Sequence, residues 1–177
     1  MRLLRLTLPI ALLALLSACV PTPAAAPTPS DAATEAPLFA TDEEALAAAE
    51  EVYREYVEVS ELIVAQGGSE PERIRPFVSD AWYESQLETY EELRLAGRRT
   101  SGPSEIVDFQ LQTREGAELR AYACHDFANV KAVDASGADV TPDRPRYAVF
   151  LVSFELGGQG QLVTGSQLWE AVDRCFS

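Results

Sequence analysis

The 177 residues hold one histidine, one methionine and three cysteines, and lysine occurs once, at Lys131. A single histidine excludes a histidine-rich zinc site. No apolar run reaches the roughly 20 residues that a helix needs to span a hydrocarbon core. The longest, Leu6 to Leu16, has the length of a secretory h-region instead. Positive charge is also scarce: 14 Lys and Arg stand against 28 Asp and Glu, a formal charge of −14. So acidic a chain is repelled by phosphate backbones and anionic lipid surfaces, which excludes a nucleic-acid role. There is no internal repeat and no second block of composition, so one domain of ordinary size is expected.

What is present begins with an address. Arg2 and Arg5 precede the apolar run, which ends in Leu16-Ser17-Ala18-Cys19. Small residues leading straight into a cysteine at this place resemble the bacterial lipobox. That resemblance implies cleavage after Ala18, leaving residues 1–18 as a signal peptide, and a diacylglycerol on the Cys19 thiol. Two acyl chains anchor stably where one binds only marginally. Loss of Arg2 and Arg5 with the leader takes the formal charge from −14 to −16. The expected location is the extracytoplasmic face of a bacterial membrane, with the lipid as the membrane contact. Residues 19–40 carry prolines at 21, 23, 27, 29 and 37 and no apolar periodicity. They read as a disordered tether with a reach of at most roughly 60 Å, at about 3.1 Å per residue.

Lipidation of Cys19 leaves Cys124 and Cys175, an even pair in an exported protein, and pairing is the expectation in an oxidising compartment. Such a bond closes about fifty residues and contributes on the order of 4 kcal/mol in the chain-entropy model. A free reactive thiol at Cys124 is the rival reading.

From residue 41 the pattern is helical. Thr41 and Glu44 form a capping box, with Asp42 and Glu43 complementing the helix dipole. Leu46, Ala49, Tyr53, Tyr56, Val57 and Ile63 then recur at helical spacing, and the intervening glutamates read as a solvated face. Gly67-Gly68 ends this helix. Pro71 opens a short second segment that Pro76 breaks. Ser79 or Asp80 caps a third helix striped with Trp82, Tyr83, Leu87 and Tyr90, which Gly97 closes. After Gly97 the period changes to 2. Glu105–Gln112 alternates, with Val107, Phe109 and Leu111 expected on one face and Ile106, Asp108 and Gln110 on the other. Further strands are expected at 118–127, 130–133, 147–156 and 161–169, and the segment 147–156, apolar on both faces, suits a central strand. Helices first and an antiparallel meander of about four to six strands afterwards argue for an α+β domain over 41–177.

Three short motifs invite chemistry, and each has a plainer explanation. Cys124 and His125 are strand neighbours whose side chains point to opposite faces, so they do not form a nucleophilic pair. A disulfide suits Cys124 better, and His125 is then expected at the surface or rim. Asp134 to Asp139 alternates oxygen side chains around Gly137, but a turn accounts for it and the bidentate acid of a calcium loop is missing. Gly157-Gly158-x-Gly160 opens onto no helix and reads as a hairpin turn, not a phosphate cradle.

The exported, tethered body, its helices followed by a sheet, and the late pattern of Cys124, Asp126, Trp169 and Cys175 resemble NTF2-like (cystatin-type cone) lipoproteins of actinobacteria. An arginine-dominated, alanine-rich composition, as in GC-rich genomes, is compatible with that source. The resemblance covers residues 41–177 and implies a helix packed into a concave sheet, used either as a ligand pocket or as a core. A pocket would be lined from Trp82, Tyr83, Tyr90, Tyr122 and Glu155, with the third helix as its lid, although an aromatic stripe at helical spacing usually builds core. No motif assigns a catalytic residue, a metal or a cofactor. The expected function is a non-enzymatic envelope module that binds a partner protein or an apolar ligand. The alternatives are an isomerase or dehydratase using the cone pocket, and a structural accessory of an envelope complex.

Overall fold

The computed structural model describes residues 38–158, 160–169 and 175. Cys19, the leader and most of the tether lie outside the described residues. The described chain is an α+β domain with its helices N-terminal to its sheets.

Helix α1 spans Asp42–Ala65 and starts at Thr41 as expected, but only half of the capping box forms, since the Glu44 carboxylate takes the N–H of Ala40 and not that of Thr41. Thr41 Oγ1 accepts from the Glu44 N–H at 3.2 Å, and the Glu44 carboxylate reaches back to the Ala40 N–H at 3.0 Å. Its buried stripe is Ala45, Ala49, Val52, Tyr53, Tyr56 and Ile63. At its end Gly68 has φ +83° and donates its N–H to the Ile63 carbonyl at 2.9 Å. Glycine is required there for a second reason: a Cβ would stand 2.3 Å from the Tyr90 carbonyl oxygen. The proline-opened segment Pro71–Phe77 is a 3₁₀ helix. Helix α2, Asp80–Leu95, is capped by Ser79, which accepts from the Trp82 N–H at 3.2 Å.

Among the described residues six strands follow: β1 Arg99–Ser101, β2 Glu105–Glu115, β3 Glu118–Asp126, β4 Lys131–Val133, β5 Tyr147–Gly157 and β6 Gly160–Trp169. The main antiparallel sheet has the order β2-β3-β5-β6. Gly157 pairs with Gly160 across the expected hairpin turn, and β5 is an inner strand as its apolar faces demand. The strand at 130–133 departs from the expected meander. As β4 it leaves the main sheet and pairs with β1, the short segment after Gly97 that the sequence does not announce.

One face of the main sheet carries Leu119, Ala121, Ala123, Val152, Phe154 and Val163 against both helices, and this is the principal core. The opposite face buries a smaller cluster of Tyr122, Cys124, Val149, Leu151 and Cys175. Strand β2 corrects the expected alternation. A register shift lies between Ile106 and Asp108, where they face His125 and Cys124. Val107 is therefore the extra residue of a bulge, and it is 46% exposed. Ile106 packs on the helix-side core beside Phe109 and Leu111.

Candidate functional site

The parity of β3 decides which side chains enter the concave interior. Leu119, Ala121, Ala123 and His125 face the helices; Tyr122 and Cys124 face away. Two small alanines leave room for α1, and Tyr53 fills it. Its ring meets Phe109, Phe154 and His125 at centroid distances of 5.9, 6.2 and 5.7 Å. Tyr53 thus packs among aromatic rings on the concave face.

His125 corrects the expectation of a surface residue. It is 4% exposed and joins a chain of polar groups running from the core to the surface. Tyr53 Oη lies 3.0 Å from His125 Nε2, and Ser104 Oγ lies 3.1 Å from Nδ1. The Ser104 hydroxyl also bonds Glu61 Oε1, which accepts the Ser104 backbone N–H at 2.8 Å. The carboxylate only accepts, so it takes the single Ser104 proton. Nδ1–H then donates to Ser104, and Nε2 accepts from Tyr53. Every proton runs toward Glu61. Burial, helped by the charge of Arg54, pushes the imidazole down to about 4, so it is neutral at pH 7. Burial also pushes the Tyr53 and Tyr56 hydroxyls well above the usual tyrosine range.

This arrangement does not activate a nucleophile. His125 donates to Ser104 where a general base would accept, and its other nitrogen is occupied. What the chain does is join α1, the β1–β2 connection and β3. Sequence reasoning missed it, although Ser104 just before a strand and a lone histidine inside one were visible signals.

The expected pocket residues are not brought together. Tyr83 is buried beneath the Arg75 guanidinium, 4.0 Å from its ring centroid. Tyr90 Oη bonds Ser60 Oγ at 2.8 Å, and Tyr56 Oη donates to Gln86 Oε1 at 3.2 Å. Trp82 packs half-buried on the same core. These contacts fasten α2 to α1 as core, not as a lid. Tyr122 lies on the opposite face of the sheet, 5.6 Å from the Trp169 ring. Glu155, exposed and paired with Glu118, shares that outward parity with Val149 and Leu151. Strand parity separates both residues from the concave interior.

Cys124 and Cys175 form a disulfide with Cα atoms 5.4 Å apart, which removes the free-thiol reading. Asp126 is engaged by Arg146 through three contacts of 2.6–3.0 Å and accepts the Ala128 N–H at 2.8 Å. Asp134 Oδ1 takes the Ser136 and Ala138 N–H groups and the Ser136 hydroxyl, as a turn residue does.

An apolar opening lies elsewhere. At the open end of the β5–β6 hairpin a groove of about 410 Å³ is lined by Phe127, Pro145, Phe150, Leu168 and Trp169, with Arg144 at its edge. Among the described residues, none from a helix lines it. Phe150 and Leu168 are register partners across β5 and β6, and Leu168 is 66% exposed. Phe127 stacks on His125 at 5.7 Å and meets Phe150 edge-on at 6.3 Å, so the groove wall rests on the buried polar chain.

No protein-family model matches the sequence, and no curated protein sequence matches it. Solved structures are similar in fold. The intermembrane space region of the chloroplast protein ARC6 superposes with a TM-score of 0.52 at 10% identity, over 70% of this chain and 95% of that one. The Kfla4162 protein from Kribbella flavida gives 0.43 at 14% identity, over 77% and 100%. At these identities the likeness to the ARC6 region concerns the small α+β fold alone.

Proposed function

We propose that this chain is a lipid-anchored, extracytoplasmic binding module of NTF2-like form, without enzymatic activity, of the kind found in actinobacterial envelope lipoproteins. The lipobox-like leader supports the anchor. A disulfide between Cys124 and Cys175 suits an oxidising compartment. No helix among the described residues is long and apolar enough to cross a membrane. The single observation carrying the reading is the exchange of cavities. In the cone interior, where an isomerase or dehydratase would place an unpaired acid or base, Tyr53 packs among aromatic rings and the His125 imidazole is bonded at both nitrogens. An apolar groove is open instead at the end of the sheet. Its occupant is an apolar ligand or the apolar segment of an envelope partner.

Nile red, an uncharged dye that reports apolar sites, tests this on the Cys19→Ala chain. Saturable binding near one dye per chain is expected, lost in Leu168→Glu and kept in Tyr83→Phe. Dye binding that Leu168→Glu leaves intact overturns the groove as the binding surface.

A further inference from the structure

We infer that the groove at the open end of β5–β6 binds a small apolar carboxylate, with Arg144 as its counter-ion. The inference rests on the binding-module reading and names the ligand class. Its first support is shape and chemistry: about 410 Å³ lies in the range of small-molecule sites, and the walls are Phe127, Pro145, Phe150, Leu168 and Trp169. Its second support is the state of Arg144. Among the described residues this guanidinium makes no ion pair, unlike its neighbours: Arg146 is paired with Asp126 and Lys131 with Asp139.

Arg144 is nevertheless held in place. Its carbon Cζ lies 4.7 Å from the Phe127 ring centroid, and one Nη donates to the Val130 carbonyl at 2.9 Å. Stacking and this one bond set the orientation of a planar fork whose remaining N–H groups have no carboxylate to serve. In a chain this acidic, an arginine held half-buried beside an apolar groove without a counter-ion is a charge-complementary seat for an anion. One cation favours a monoanion, since a second ligand charge would meet only the negative field of the body. The apolar walls demand that the rest of the ligand be hydrocarbon or aromatic.

Decanoate and decan-1-ol, which share a chain and differ in the head group, are the probes. Calorimetric titration of the Cys19→Ala chain is expected to show saturable decanoate binding at least about tenfold tighter than the alcohol, the scale of a charge-assisted hydrogen bond. Arg144→Met keeps the apolar stem over Phe127 and should erase that difference, and Arg144→Lys should keep part of it. Leu168→Glu should abolish binding of both probes. Equal affinity of the two in the parent chain overturns Arg144 as counter-ion and leaves the groove as an apolar site. Preference for decanoate that persists in Arg144→Met overturns it too. Binding of neither probe, with Nile red still bound, removes the carboxylate class while the binding-module reading stands.

Discussion

Tyr53 on α1 and His125 on β3, 72 residues apart in the chain, share a buried hydrogen bond of 3.0 Å. The bond has a pH consequence. The folded imidazole titrates at about 4, below its ordinary value near 6.5, because burial disfavours the cation. Between those values the unfolded chain binds the proton and the folded chain does not, so stability falls as pH drops from 6.5 to 4. The contribution of His125 to that fall is at most about 3.5 kcal/mol, from about 1.4 kcal/mol per pH unit. Urea denaturation at pH 7, 5.5 and 4.5 should show the loss, and His125→Gln should flatten it. Tyr53→Phe should cost about 1–3 kcal/mol at pH 7, the cost of leaving Nε2 unpaired. A parent chain whose pH dependence His125→Gln leaves unchanged contradicts the buried neutral imidazole.

The Cys124–Cys175 bond closes a loop of 51 residues. Removing it with Cys175→Ser should destabilise by about 4 kcal/mol in the chain-entropy model. Non-reducing peptide mapping should recover the two cysteines in one linked peptide pair. An alkylatable Cys124 in the unreduced protein would count against the pairing.

Gly68 and Gly116 separate backbone conformation from contact. Both have positive φ, +83° and +61°, but a Cβ at Gly116 meets nothing within 4 Å. Gly116→Ala should cost about 1–2 kcal/mol from the left-handed conformation alone. Gly68→Ala adds a collision with the Tyr90 carbonyl and should cost more than about 3 kcal/mol. Thermal melts of the two variants side by side give the comparison, and equal losses would mean that the α1–α2 corner opens freely.

Cys19→Ala should move the protein from the membrane fraction to the medium or the wash. Full retention in the membrane pellet would defeat the lipid anchor and require another attachment.

Much of the fold was legible because local rules agree with it. Thr41 and Glu44 mark the start of α1, and β5 declares its inner place by being apolar on both faces. The candidate pocket failed for a reason of parity. Tyr122 is two residues from Cys124 and so shares its face; once Cys124 bonds the C-terminal segment, Tyr122 must point away from the helices. The bulge at Val107 was hidden, since an inserted residue leaves an alternating pattern looking continuous and shows only in pairing. Nor did β4 reveal its partner, because three-residue strands carry no periodicity to assign them to a sheet.

The sequence by itself determined an acidic α+β domain with its helices first, an even pair of cysteines in that domain and an N-terminal apolar run that leads into Cys19. Each is written in composition, spacing or short-range capping chemistry, and needs no distant partner to be read. Only the tertiary structure decided that the lone histidine is buried and bonded at both nitrogens, that the aromatic stripe of α2 is core, and that an apolar groove opens beside Arg144. Those outcomes depend on which strand face meets the helices and on residues tens of positions apart filling the same space. Side-chain volume and pairing register, not local pattern, settle them.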